Sequence, residues 1–153
     1  MYRVFKKLNG TSVDIVHHTI SVLKECPYTE IHIGSDSQNH SEVTKYSTVI
    51  AYRFGNRGVH YVVHKMSTPK ITDKWTRLWK EAVMSIETAE ILTAKIKVQV
   101  QIDLDYNSDK RYFSSRLVQA TSGWANSLGY RVNIKPDNQI ATRAADYHCR
   151  QMI

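Results

Sequence analysis

Three strand-like segments followed by an alternation of helices and strands constrain the fold of this chain more than any other feature. The first segments are 30–35, 45–54 and 59–66, and each is rich in β-branched or aromatic residues. Gly55-Asn-Arg-Gly58 separates the last two segments and is typical of a hairpin turn. The sequence therefore predicts a meander of three antiparallel strands.

The second half of the chain alternates between helical and strand patterns. A helix is predicted after Asp73, a favourable N-cap, because apolar residues then recur with a period close to 3.6 residues. Residues 97–104 alternate strictly and predict a fourth strand, and residues 130–134 predict a short fifth strand. Amphipathic helices are predicted over 112–128 and 140–152. Helical crossovers of this kind insert later strands into the same sheet.

Ahead of the meander, residues 13–25 have helical spacing, with Thr11 or Ser12 as the predicted cap. We therefore expect one α/β domain over 1–153, with a five-stranded mixed sheet, flanking helices and an N-terminal helical extension over 1–28. The extra helix either joins the core or makes the contact of a homodimer.

Composition narrows the class of partner. The chain has 21 Lys and Arg against 14 Asp and Glu, a net charge of +7, so we expect it to attract a polyanion such as nucleic acid. Cys26 and Cys149 lack the spacing of a metal motif or a disulfide framework and suit a reducing compartment. No stretch reaches the roughly 18 apolar residues of a membrane span. These features predict a cytoplasmic protein without a membrane partner.

Four acids recur where predicted strands end or on predicted helices. Asp36 follows the first strand, Glu81 lies on the first long helix, Asp103 ends the fourth strand, and Asp146 lies within the final helix. Mg²⁺ and Mn²⁺ prefer hard oxygen ligands, and two such ions can activate a water and stabilise the leaving oxygen of a phosphodiester. In a basic chain this pattern indicates metal-dependent chemistry on nucleic acid.

Several motifs in this order resemble the ribonuclease H-like superfamily and, within it, the YkuK-like family of predicted nucleases. They are Ile33-Gly-Ser-Asp-Ser-Gln38, Arg77-Leu-Trp-Lys-Glu-Ala82, Gln101-Ile-Asp-Leu-Asp105, Ser122-Gly-Trp124 and Ile134-Lys-Pro-Asp137 followed by Ala144-Ala-Asp146. The resemblance implies a ribonuclease H-like fold and a bacterial or phage origin. It also implies a nuclease for RNA, RNA–DNA hybrid or structured DNA.

The same resemblance implies the site residues. Asp36 and Asp103 would share two Mg²⁺ or Mn²⁺ ions, and Glu81 and Asp146 would complete the set of ligands. On the first long helix, Glu87 and Glu90 are alternatives to Glu81. The family spacing of apolar residues after the helix acid favours Glu81.

Two further alternatives remain open. Asp105 has the same strand parity as Asp103, so alternation cannot separate them. Asp137 competes with Asp146, although its position before a helix is explained by N-capping.

Two other functions are considered. A proofreading-type exonuclease of the superfamily carries Asp-x-Glu at its first strand, whereas this chain has Asp36-Ser-Gln38, which disfavours it. The alternative from another class is a non-catalytic nucleic-acid-binding module with a ribonuclease H-like fold, because a fold does not guarantee activity.

Overall fold

The sheet has more strands than the sequence predicts. The computed structural model describes residues 3–107, 115–135 and 140–150. Within these ranges the strands are β1 (Phe5–Lys6), β2 (Ser12–Val13), β3 (Glu30–His40), β4 (Val43–Arg53), β5 (Val59–Pro69), β6 (Val100–Asn107) and β7 (Arg131–Lys135). The helices are α1 (Ile15–Glu25), α2 (Lys74–Thr93), α3 (Ser115–Ser127) and α4 (Ile140–Arg150). The strands form one sheet in the order β2-β1-β5-β4-β3-β6-β7.

The predicted meander is confirmed. Strands β3, β4 and β5 pair antiparallel along their whole lengths, from Glu30 opposite Arg53 to His40 opposite Val43 in the first pair. Strands β6 and β7 then join in parallel after α2 and α3, as helical crossovers require. The α/β class and the order of these five strands are therefore those that the sequence predicts.

The predicted number of five strands is wrong, because β1 and β2 extend the sheet beyond β5. They pair with each other, and Lys6 of β1 lies opposite Val63 of β5. Each has two residues, which is too short for alternation to reveal a strand. The N-terminal extension is therefore partly a pair of edge strands and not helical throughout.

The predicted start and cap of α1 are also wrong. Ser12 and Val13 belong to β2, and Asp14 caps the helix by accepting a hydrogen bond of 3.0 Å from the backbone N–H of His17. The helix then packs on the core, where Thr19 Oγ1 and Tyr52 Oη share a hydrogen bond of 2.7 Å. On α2 the predicted cap is confirmed, since Asp73 accepts a hydrogen bond of 2.9 Å from the N–H of Thr76.

Helices cover both faces of the sheet. Helices α1, α2 and α3 pack on the face that carries Ile31, Ile33 and Ile102, which forms the larger apolar core. Helix α4 covers the opposite face, where Ala141 and Ala145 contact the second apolar cluster on β4 and β5. Because successive strand residues point to opposite faces, each strand contributes to both layers.

The later elements are shifted by a few residues from their predicted positions. Strand β6 runs from Val100 to Asn107 where 97–104 was expected, and the predicted ends of the last two helices, 112–114 and 151–152, lie outside the described residues. In the described ranges, no helix is long and apolar enough to cross a membrane.

Candidate active site

Asp36 lies inside β3 and not at its tip, contrary to the sequence prediction. Strand β3 continues to His40 because every residue from Glu30 onward finds a partner on β4, and Asp36 lies opposite Ser47. On its other side, β3 pairs with β6 only from Ile31 to Gly34, which lies opposite Asp103. Asp36 therefore stands just beyond the point where two parallel strands stop pairing, a position where α/β sheets commonly bind ligands.

Glu81 reaches β3 from α2. It is only 4% exposed, and Ser37 Oγ donates to its Oε2 a hydrogen bond of 2.5 Å. One helical turn later, Ser85 Oγ shares a hydrogen bond of 2.8 Å with Ser35 Oγ. Two helix residues four positions apart thus contact two strand residues two positions apart, which fixes the carboxylate of Glu81 beside the residue that follows Asp36.

The rival acids on α2 lie elsewhere. Glu87 is exposed and forms an ion pair with Arg3. Glu90 is also exposed and accepts a hydrogen bond of 2.7 Å from Tyr130 Oη. Of the three acids, Glu81 is therefore the one in contact with β3.

Asp146 approaches the same strand from α4. Gln38 Nε2 donates to Asp146 Oδ1 at 3.5 Å, so Asp146 faces β3 two residues beyond Asp36. The helix lies very close to the strand at Gly34, where an added Cβ would be 2.8 Å from the backbone nitrogen of Thr142. Helix α4 therefore approaches the backbone of β3 closely at Gly34.

Cys149 contacts β3 at Asp36 and is affected by the charges of three of the acids. Its thiol donates to the carbonyl oxygen of Asp36 at 3.2 Å. Burial first, and then the charges of Asp36, Glu81 and Asp146, raise the pKa of the Cys149 thiol to about 12. Carboxylates from β3, α2 and α4 therefore act on one buried atom. Sequence reasoning had treated Cys149 as an ordinary thiol, because nothing in the spacing linked it to these acids.

Glu81 also acts on Tyr46. Burial, followed by the charge of Glu81, raises the pKa of Tyr46 to about 12. Tyr46 Oη donates a hydrogen bond of 3.3 Å to the carbonyl oxygen of Arg77, and the Lys80 ammonium lies 5.4 Å from the centre of its ring. Strand β4 thus supplies the neighbouring wall of the site.

Asp103 is held in a different environment. It is 1% exposed and accepts hydrogen bonds from Asn133 Nδ2 at 2.8 Å, the N–H of Ala141 at 2.9 Å and His32 Nδ1 at 3.1 Å. Burial opposes the charge of His32, but the hydrogen bonds and charges of Asp103 and Glu30 outweigh it, so the pKa of His32 is raised. The carboxylate thus anchors the first turn of α4 to the sheet. Asp103 lies opposite Gly34, which precedes Asp36 by two residues on the same face of the sheet.

Asn133 and His32, which hold this carboxylate, were not identified from the sequence. Their strand parity could have placed them on the face of Asp103, but only the order of the strands shows that they are its neighbours.

Asp105 lies nearer the C-terminal end of β6 than Asp103 does. It follows Asp103 by two residues in β6, as Asp36 follows Gly34 by two residues in β3. Asp105 lies beyond the last pair with β3, in the stretch between Leu104 and Asn107 where the register of β6 with β7 shifts. Its side chain is outside the described part of the chain, as is the whole of Asp137.

In the described residues, which exclude the side chain of Asp105, no three His, Cys, Asp or Glu side chains have the spacing that holds a metal ion.

The fold and these acids define an α/β protein of the ribonuclease H type. The family description Ribonuclease H-like matches residues 12–150, almost the whole chain. The chain belongs to the ribonuclease H-like family, whose fold is nucleic-acid-related. No curated protein matches it in sequence.

Proposed function

We propose that this protein is a divalent-metal-dependent nuclease that hydrolyses phosphodiester bonds in RNA, RNA–DNA hybrid or structured DNA. The grouping of Asp36, Glu81 and Asp146 along one short stretch of β3 carries this proposal, since Ser37 donates to Glu81 and Gln38 donates to Asp146. Membership of the ribonuclease H-like family supports it, and so does the net charge of +7. The narrower likeness to the YkuK-like family of predicted nucleases is part of the same proposal.

The donor set fits a hard divalent cation. Carboxylate oxygens are the ligands that Mg²⁺ and Mn²⁺ prefer, and Asp36 and Asp146 are only partly buried. Asp36, Glu81 and Asp146 would hold the ions. Asp105 is a better fourth ligand than Asp103, because both carboxylate oxygens of Asp103 already accept hydrogen bonds within the protein. When bound, a pair of these ions would activate the attacking water and stabilise charge on the leaving oxygen.

The chain orders these acids through the residues that follow Asp36. Ser37 points to the face of α2 and donates to Glu81, whereas Gln38 points to the face of α4 and donates to Asp146. One short run of β3 therefore orients an acid on each side of the sheet. Asp103 acts at a distance by holding the N-terminus of α4, which carries Asp146.

Cleavage assays test the proposal. Purified protein and the variants Asp36→Asn, Glu81→Gln and Asp146→Asn are incubated with labelled hybrid, single-stranded and duplex RNA and DNA in Mn²⁺, Mg²⁺ or chelator. Glu87→Gln is the matched control, because it removes the same charge from the exposed side of α2. We expect metal-dependent cleavage that the three variants lose and the control keeps.

Undiminished cleavage by folded Asp36→Asn protein would refute the assignment. Nucleic-acid binding without metal-dependent cleavage would instead select the non-catalytic binding module with a ribonuclease H-like fold.

A further inference from the structure

A basic cavity lies beside the candidate active site, on the face of the sheet that α4 covers. It has a volume of about 660 Å³, and its lining residues are Val4, Lys6, Lys7, Leu8, Gly10, Val63, His64, Lys65 and His148. Lys6 and Lys65 are exposed and Lys7 is partly buried, whereas His148 is 9% exposed. The lining therefore combines three lysines with a buried imidazole.

His148 has an unused polar atom at this cavity. Its Nε2 is buried without a hydrogen-bond partner among the described residues. The ring packs edge-on against Tyr61 at 5.9 Å, which holds it in place. A buried polar atom without a partner is costly, so a group that accepts or donates a hydrogen bond there would be favoured.

The register of the sheet aligns this cavity with Asp36. Asp36 lies opposite Ser47, and Ser47 lies opposite Lys65, so the three form a row across β3, β4 and β5. Residues paired in this way point to the same face, and neighbouring strands are about 4.8 Å apart, which puts Lys65 about 10 Å from Asp36 along the row. Lys6, opposite Val63, continues the basic surface onto β1.

We propose that the cavity formed by Lys6, Lys65 and His148 binds a backbone phosphate of the nucleic-acid strand whose neighbouring phosphodiester reaches Asp36. The inference rests on the proposed function for the identity of the strand. Lysine ammonium groups neutralise phosphate charge without reading sequence, so this contact would set the position of the strand and not its sequence. A cavity for a free anion would not need to be aligned with the acids. A nucleic-acid strand, in contrast, requires a second contact at a fixed distance from the phosphodiester that reacts, and the row from Asp36 to Lys65 provides one.

The test measures binding apart from cleavage. Asp36→Asn protein, in chelator, is titrated into a labelled RNA–DNA hybrid and its separate strands over a range of salt concentrations, with fluorescence anisotropy as the readout. The variant pair Lys6→Gln/Lys65→Gln is added to this background. The control pair Lys24→Gln/Lys97→Gln removes the same charge from two exposed lysines that do not line the cavity.

We expect the cavity pair to weaken binding about tenfold at low salt and to reduce the slope of log K against log salt by roughly 0.7 to 1, the change expected for one phosphate. The control pair should leave both nearly unchanged, and Lys65→Arg should retain binding. Equal losses in the two pairs, or no loss in the cavity pair, would overturn the inference.

The outcome is independent of the nuclease assay. If only the cavity pair weakens binding and the unmodified protein cuts no substrate, the phosphate site is supported and the nuclease function is rejected. If the unmodified protein cuts nucleic acid but the cavity pair binds as tightly as the control pair, the nuclease function is supported and the phosphate site is rejected.

Discussion

Ser37 Oγ donates a hydrogen bond of 2.5 Å to Glu81 Oε2, and both residues are buried. The bond joins β3 to α2 immediately beside Asp36. A hydroxyl that donates to a buried carboxylate favours its charged form and fixes its direction. The orientation of the Glu81 carboxylate therefore depends on Ser37, the residue that follows Asp36.

Ser37→Ala should lower both stability and activity. Glu81 would lose this donor while remaining buried, and we expect a loss of about 1 to 3 kcal/mol in the free energy of unfolding. Urea denaturation followed by circular dichroism measures it. Ser67→Ala, on the exposed edge of β5, is the control and should change stability little. A Ser37→Ala protein as stable and active as the parent would show that the bond has no role.

Asp103→Asn should lower stability, whereas Asp105→Asn should remove activity. Asp103 accepts three hydrogen bonds in the interior, so Asp103→Asn should reduce the free energy of unfolding by about 1 to 3 kcal/mol. Asp105→Asn should abolish metal-dependent cleavage. Denaturation midpoints and cleavage rates are measured on both proteins. Full cleavage by Asp105→Asn, together with inactive but stable Asp103→Asn protein, would restore Asp103 as the ligand.

Gly34→Ala should displace α4. The new Cβ would lie 2.8 Å from both the backbone nitrogen and the Cγ2 atom of Thr142, and overpacking of this kind costs about 1 to 3 kcal/mol. Because α4 carries Asp146, cleavage should fall as well.

Gly123→Ala is the matched control for this change. Gly123 lies within α3 with open space around it, so alanine there should stabilise the protein by about 0.5 to 1 kcal/mol. Thermal unfolding compares the two variants, and equal shifts would contradict the close approach at Gly34.

The pair His18 and His60 should make stability depend on pH. Their Nε2 atoms are 2.8 Å apart, and burial lowers the pKa of both. The charge of Lys7 lowers the pKa of both further, and His60 also lowers that of His18. The unfolded state, with its pKa near 6.5, then binds more protons than the folded state at acidic pH. The stabilisation is complete above about pH 6.5 and is lost as the pH falls.

Replacing both histidines by glutamine should therefore reduce the loss of stability between about pH 7.5 and about pH 5.5. Urea denaturation at the two pH values measures the difference. His17→Gln, an exposed change on the same helix, should keep the full dependence. An unchanged pH dependence in the double variant would contradict the assignment to this pair.

The sequence predicts the meander and the later helices well, because their patterns are local. Runs rich in β-branched and aromatic residues reveal β4 and β5, and an alternating run reveals most of β6. Asp73 is a recognisable cap. The polar run from Ser35 to His40 has no such pattern. It continues β3 only because β4 offers a partner at every position, which is information from another segment.

The candidate site shows the same division. The preference for Glu81 rests on the family spacing of apolar residues after the helix acid, which lies within one element. The choice between Asp103 and Asp105 depends on where β6 stops pairing with β3, and the pattern of either strand alone does not contain this information. Alternation along a strand predicts the face on which a side chain lies, but it does not predict which residues of two strands lie opposite each other.

The turn at Gly55–Arg57 joins β4 to β5 far from the row formed by Asp36, Ser47 and Lys65. Arg53, the last residue of β4 before this turn, lies six positions after Ser47, a distance of roughly 20 Å. Yet the length of the turn sets how β5 slides against β4, and a slip of one residue would turn Lys65 to the opposite face. A single insertion in this remote turn would thus remove a positive charge from the layer that contains the acids. We expect the length of the turn to tolerate less change than its amino-acid identity.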